Sequence, residues 1–562
     1  MNAYSTLRLV IAAALVFVAV LVPVAVPPAR AQGNQATPST GVAQQDPVLR
    51  AMLVELERSK SQLKLENASD PYYVEYRVTD LDHYDAEALF GSLRFETRQK
   101  VRILRAVVRV GDYHRDSYFR QGLGMVDILS LDDDPLALRQ TLWLATDRAY
   151  KAATEALTAK QALLKQFSTD PPVDDFSRGA AIQQIGPLVR LDVDPAPWRE
   201  MLVSTTAQFR LDPQLESLSA EMKFEASNVY FVNSEGTVTR SGRSVYQMVV
   251  NGSTQAPDGM RLQRSPDFLV GSIAELPTAA QFSKLTVEMI DSLKKLREAP
   301  LVEEEYRGPV LFEADPASDI LENVVGANLL GQKPPPEKPG RTTGSYGGSY
   351  KNRVLPDFLS VLDDPTQRTF AGRTLVGSYE VDEEGVRAMP VLAIEKGILK
   401  TFLLGREPIR DVPESNGHGR AAPSTPPGPS IGTLILKTTQ SFSPEELKQK
   451  MLDLCRQQSK PYGYLVKTFG QSFEPRLLYR VWENDGHEEL VRGATFEDLD
   501  TRELRNDLIA VGNDFLVSNR WGALPISVVN PSLLFDELGV RRADLTKDKL
   551  PEYPPPALSA PR

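Results

Sequence analysis

The chain has 562 residues, 41% of them hydrophobic, which is enough to fill two or more cores. Its formal charge of −10 argues against a nucleic-acid partner, because a phosphate backbone is bound by a clustered basic surface. The one cysteine, Cys455, excludes an intrachain disulfide in any compartment, so stability must come from burial.

Arg8 precedes an apolar stretch over residues 9–26, which is followed by Pro27, Pro28 and the small-residue pattern Ala29-Arg30-Ala31. Residues 1–31 therefore read as a cleavable secretory signal and 32–45 as a polar linker; an uncleaved anchor is the alternative, since the stretch approaches bilayer length. The expectation is an exported protein, periplasmic or extracellular, with no stable membrane span after cleavage. Arg8 and Arg30 would leave with the signal, and no acid would.

Asp46 and Pro47 have the chemistry of an N-cap and a first helical residue, and Leu49, Met52, Leu53 and Leu56 follow at helical spacing. Residues 72–110 change to a strand pattern, with Tyr73, Glu75 and Arg77 alternating with Val74 and Tyr76. Helix returns over 136–166. A strand meander over 220–250 turns at Asn233-Ser234-Glu235-Gly236, and 278–298 is helical, with Phe282, Leu285, Met289, Leu293 and Leu296 three or four apart. These elements predict a first domain over 46–300, helices packed on an antiparallel sheet.

A second domain is expected over 301–550, opening with a strand at 308–313 and a helix at 315–330. A Pro/Gly-rich loop at 332–350 is long enough to be functional or disordered. Strands over 374–404 are broken at Glu383-Glu384-Gly385 and Lys396-Gly397, and 411–432 reads as a second flexible loop. Ser443, Pro444 and Glu446 form a capping box for the helix carrying Cys455, which is expected to be buried. Residues 462–534 are mostly strand-like, and 551–562 is a Pro-rich tail. The fold class is thus α+β, with a β-rich, barrel-like second domain.

Several strings in the second domain carry a resemblance. They are Gly308-Pro309-Val310-Leu311-Phe312-Glu313, Val381-Asp382-Glu383-Glu384-Gly385-Val386 and Ile394-Glu395-Lys396-Gly397-Ile398-Leu399-Lys400. Further on come Ser415-Asn416-Gly417-His418-Gly419-Arg420, Val491-Arg492-Gly493-Ala494-Thr495 and Leu524-Pro525-Ile526-Ser527-Val528. In this order the chain resembles the TldD/PmbA family, also described as a modulator-of-gyrase or metallopeptidase family, with a looser match in the first domain around Asn233-Ser234-Glu235-Gly236. The resemblance implies a helix bearing H-E-x-x-x-H, in which two histidines hold zinc, the family cofactor, and the glutamate takes a proton from metal-bound water.

Aligned on Val325-Gly326 and Gly331, this sequence has Glu322 and Ala327 at the histidine positions, Asn323 at the glutamate position and Leu330 where a further acid is implied. Alanine and leucine offer no lone pair, and an asparagine amide is no carboxylate base. The late cysteine ligand that the resemblance implies would fall near 515–518, where no cysteine stands. The pattern is similar to the PmbA, or TldE, branch, which lacks the metal motif and works beside a TldD partner. No cofactor and no metal ligand are expected.

The histidines His83, His114, His418 and His487 are far apart in sequence; His487-Glu488-Glu489-Leu490-Val491 has valine where a second zinc ligand belongs and follows a hairpin-tip turn. His418, with Asn416 and Arg420 in a Gly-rich loop, is the better candidate for touching a peptide, although a solvated loop histidine is the simpler reading. Asp382, Glu383 and Glu384 before Gly385 read as a strand-turn-strand corner, Glu303 to Glu305 as a solvated charge run, and Asp363 and Asp364 as a turn closing before Pro365. Gly428-Pro429-Ser430-Ile431-Gly432 has the letters of a nucleophile elbow but leads into a strand, so it reads as a loop end.

Three functional readings follow. The first is a metal-free member of a metallopeptidase family, binding peptide or serving as the non-catalytic half of a pair with a TldD-like chain or a second copy. The second is an active metallopeptidase with a rebuilt metal site. The third is a structural envelope protein.

Overall fold

A computed structural model of the protein describes residues 40–544, except 67, 168–172, 339 and 498. The expected signal at 1–31, the linker up to residue 39 and the tail at 551–562 lie outside the described residues. The last part of the expected linker is instead a short helix, α1 (Thr40–Gln45), with Ala43 buried.

In chain order the first domain then contains α2 (Pro47–Gln62), β1 (Pro71–Leu89), β2 (Ser92–Val110), β3 (Met125–Leu129), α3 (Pro135–Leu164) and β4 (Gln183–Ile185). It continues through α4 (Ala196–Thr206), β5 (Leu215–Asn233), β6 (Val238–Gln255), β7 (Arg261–Arg264), β8 (Asp267–Val270) and α5 (Ala279–Glu298). Asp46 caps α2 as its side chain invites, accepting the N–H groups of Val48 and Leu49 at 3.0 Å each.

The strands form one sheet in the order β3-β2-β1-β5-β6-β4, with β7 and β8 also pairing β6; every pairing is antiparallel except β4 with β6. The alternation along β1 gives the sheet two unlike faces. Val74, Tyr76 and Val78, with Leu104, Ala106 and Val108 of β2, pack on Leu49, Met52 and Leu56 of α2 and Leu138, Leu142 and Ala145 of α3. Toward the other end of the sheet, Met222, Phe224, Met248 and Val250 cover Phe282, Met289 and Ile290 of α5. The opposite face carries Glu75, Arg77 and Thr79 with Arg105 and Arg109, all buried, because the second domain lies on it.

That domain contains β9 (Tyr306–Phe312), α6 (Ala314–Ile320), β10 (Leu359–Asp363), β11 (Thr369–Phe370), β12 (Arg373–Thr374), β13 (Val391–Glu395) and β14 (Ile398–Leu399). Next come β15 (Gly419–Arg420), β16 (Gly428–Pro429), β17 (Thr433–Thr438), α7 (Pro444–Gln457), β18 (Tyr462–Phe469), β19 (Pro475–Trp482) and β20 (Glu488–Val491). The chain finishes with β21 (Ala494–Phe496), α8 (Thr501–Asn506), β22 (Leu508–Val511), β23 (Leu516–Trp521), β24 (Pro525–Asn530) and β25 (Leu533–Arg542).

Two larger sheets run β14-β13-β10-β17-β24-β23 and β20-β19-β18-β9-β25-β21, with β22 also on β25. Val361, Leu434, Leu436 and Val528 from the first, Val310, Phe312, Tyr464 and Phe535 from the second, and Ala317 and Ile320 of α6 share one core. The expected barrel is therefore a correction: both strand paths are open, with free edges at either end, and no closed barrel forms among the described residues. The capping box of α7 is present, Ser443 Oγ accepting the Glu446 N–H at 3.2 Å, and Cys455 is buried against the sheet, which pushes its thiol up to about 11.

Candidate functional site

The chain after β9 winds into α6 and then loosens into a π turn (Leu321–Val325) and a 3₁₀ turn (Gly326–Leu329). Its apolar side, Ala317, Ile320, Leu321, Val324 and Val325, is in the core. Gly326 permits the close seat: a Cβ there would stand 2.5 Å from Ile431 Cδ1. Asp315, Asp319 and Glu322 are spaced four and three apart, which sets them on one other side of the helix. Asp267 of the first domain's β8 is close enough to interact electrostatically with Asp315 and Asp319, and β23, which carries Arg520, packs against both β8 and α6.

Arg520 Nη2 donates to Asp319 Oδ1 at 2.9 Å and to Ser318 Oγ at 2.6 Å, while its Nε is 3.9 Å from Glu322 Oε2. Burial in this cleft pushes Asp319 up to about 6, against the downward pull of Arg520. Burial likewise raises Asp267, Asp315 and Glu322, and Arg520 partly offsets it for each. Asp267 and Asp315 nevertheless keep surface open to water.

Of the three motif positions, Ala327 is exposed and has no donor atom, and exposed Asn323 turns its amide back onto the Asp319 carbonyl at 2.9 Å. Only Glu322 has a carboxylate, and a guanidinium is its neighbour. This donor set does not fit zinc, which needs three or four N, S or O ligands and no fixed cation beside them. Among the described residues no three His, Cys, Asp or Glu side chains are grouped to hold a metal ion.

His418, Arg420 and Asn416 come together, but inside the protein. His418 is 0% exposed; Nδ1 is 3.0 Å from the carbonyl and the Oδ1 of Asn416, and Nε2 is 3.3 Å from Asp363 Oδ1. Asp363 also accepts the N–H groups of Gly432 at 3.1 Å and Thr433 at 2.9 Å. Arg420 donates to Glu383 at 2.8 Å and lies 4.1 Å from the centre of the Tyr379 ring. The Asn416 amide bridges the backbone of Phe402 and Leu404 at 2.8 Å each.

The solvated-loop reading of His418 is overturned, because the side chain is enclosed. Within 411–432, β15 and β16 pair as a short ribbon, on which Arg420 lies, while Asn416 and His418 directly precede it.

The corner at Asp382, Glu383 and Glu384 is a turn, with Gly385 at φ +75°, but Asp382 and Glu384 are buried and Glu383 is partly so. Asp382 accepts N–H groups from Glu384, Val386 and Gly419 at 2.8–3.0 Å, and Glu384 accepts the Arg406 N–H at 2.6 Å. Burial raises both carboxyls, Asp382 well above the usual range. His487 sits at the β19–β20 hairpin tip, exposed, with Nδ1 2.7 Å from Asp485, as the turn before it predicts. Gly428-Pro429 is a ribbon strand followed by β17, so no nucleophile elbow exists there.

Sequence reasoning missed the arginines of the domain seam. Arg406, 1% exposed, pairs Glu235 at 2.7 Å and covers the Phe176 ring at 3.9 Å, while Arg77 Nη2 donates to the Thr425 carbonyl at 2.7 Å. For Arg77 the alternation of β1 is the available signal; for Arg406 and Arg520 the local sequence offers none.

Residues 305–542 match the model of the PmbA/TldA metallopeptidase C-terminal domain. A metalloprotease of Methanocaldococcus jannaschii is 25% identical over 284 residues, 49% of this chain and 56% of that protein. One of Methanothermobacter thermautotrophicus is 24% identical over 257 residues, 44% and 51% respectively, so the chain spans about half the length of the curated relatives it matches. Among solved structures, a modulator of DNA gyrase from Thermotoga maritima superposes with a TM-score of 0.58 at 16% identity, covering 83% of this chain and 96% of that one. TldE from Thermococcus kodakarensis gives 0.58 at 14%, covering 87% and 100%. These likenesses are of fold.

Proposed function

Because this chain belongs to the TldD/PmbA family through its second domain, we propose that it is an exported, metal-free member that binds peptide segments and serves as the non-catalytic part of a proteolytic assembly. The observation that carries this reading is Arg520: a guanidinium stands beside Glu322, the one of the three motif positions that bears a carboxylate. A fixed cation there repels a metal ion and satisfies the acids in its place. The seam between the domains is lined with charged side chains, and an extended peptide would pair with a free strand edge through backbone groups. The metal would come from a partner, either a TldD-like chain with an intact motif or none if copies of this chain associate alone.

The test is metal content of the purified protein, paired with cleavage of an unstructured peptide before and after chelation. The expected result is no stoichiometric zinc and no cleavage by the protein alone. Stoichiometric zinc with chelator-sensitive cleavage would establish the rebuilt-site reading instead, and a partner chain recovered with the protein would identify the catalytic half.

A further inference from the structure

The first domain's sheet turns an arginine-rich face to the second domain, and its donors are not all used. Arg77 on β1 is 2% exposed, yet among the described residues its Nε and Nη1 have no hydrogen-bond partner; only Nη2 is engaged, by the carbonyls of Ala422, Pro423 and Thr425. Arg420 is 3% exposed with Nε on Glu383 and Nη1 unpartnered. Arg243 on β6 is half-buried, makes no hydrogen bond or ion pair among the described residues, and has its Nε shut from water. Opposite it in register, Ser227 of β5 is 2% exposed with its Oγ unsatisfied. Register and alternation put Arg77, Ser227 and Arg243 on the same face of the sheet.

The acids nearby do not balance these groups. Glu383 is the carboxylate common to all three arginines. Glu75 and Glu225 border Arg77 and Arg243, but Glu75 accepts the Tyr73 hydroxyl at 2.8 Å and Glu225 faces His83 at 3.6 Å. Burial lowers the pKa of Arg77 and of Arg243, the direction of a cation short of counter-charge. Buried donors are nearly always satisfied in a folded protein, and a group of unmet ones on three guanidiniums points to a missing acceptor. The planar fork of arginine is matched by a carboxylate, and with Glu383 already inside, a monoanion suits the site better than a phosphate.

We propose that Arg77, Arg243 and Arg420 form a pocket at the domain seam that takes a carboxylate of the bound peptide, an inference that rests on the peptide-binding reading. Arg243, the only one with surface open to water, is the entry side.

The experiment uses the purified full chain and a fluorescein-labelled penta-alanine peptide in three forms: free C-terminus, C-terminal amide, and an amide whose last residue is aspartate. The free acid is expected to bind at least tenfold more tightly than the amide, and Arg243→Ala to remove that preference while leaving the amide's affinity and the melting temperature unchanged. Arg243→Lys, which keeps the charge and loses the fork, should restore only part of it. Rescue by the aspartate amide assigns a side-chain carboxylate as the source; failure to rescue assigns the C-terminus. Equal binding of acid and amide by the wild type overturns the pocket and leaves peptide binding intact, whereas no binding of any form overturns the peptide reading and the pocket's ligand together.

Discussion

Asp319 and Arg520 form the charged pair beside α6, Arg520 donating to the Asp319 carboxylate. Burial raises the Asp319 carboxyl to about 6 from an ordinary value of 3.8, and Arg520 at 2.9 Å limits that rise. Between those values the folded protein holds a proton that the unfolded chain has released, so this group's contribution to stability is present below about 3.8 and is lost as the pH rises through about 6. The melting temperature of the wild type relative to Asp319→Asn should therefore fall between pH 4 and pH 7. In Arg520→Ala the charge that favours the carboxylate is gone, and the midpoint should move above 6, measured by carboxyl NMR. A midpoint near 4 in either protein would show that the cleft is wetter than its geometry implies.

Helix α6 and the turns that follow it illustrate what an element owes to its neighbours. Its apolar positions, Ala317, Ile320, Leu321, Val324 and Val325, make a helix legible over 315–330, but nothing in that spacing distinguishes an α turn from the π turn at Leu321–Val325. The widening comes where Gly326 lets the backbone close on Ile431 and Leu434, contacts made by strands far along the chain. Gly326→Ala would put a methyl where Ile431 already is and should cost about 1–3 kcal/mol, read as a shift in denaturant midpoint at constant slope. The same lesson in reverse applies to His418: a Gly-rich segment reads as a loop, yet His418 and, on β15, Arg420 turn inward to Asp363 and Glu383.

Across the whole molecule, the two domains are joined through buried charge. Arg406 of the second pairs Glu235 of the first at 2.7 Å and also donates to the Ser177 carbonyl. Arg406→Ala leaves Glu235 without its cation and exposes the Phe176 ring, and should cost about 3–5 kcal/mol, with the connection between α5 and β9 becoming sensitive to limited proteolysis before either core unfolds. Simultaneous unfolding of both domains in that variant would argue against a separable seam. The sequence by itself determined the α+β class, the helices with their caps and the strand faces of β1, because each is written in periodicity or side-chain chemistry within a short window. Only the tertiary structure decided that the second domain is two open sheets, that His418 and Arg420 face inward, and that Arg520 stands over the motif. Those outcomes depend on pairings between residues tens to hundreds of positions apart, set by how the sheets and domains pack.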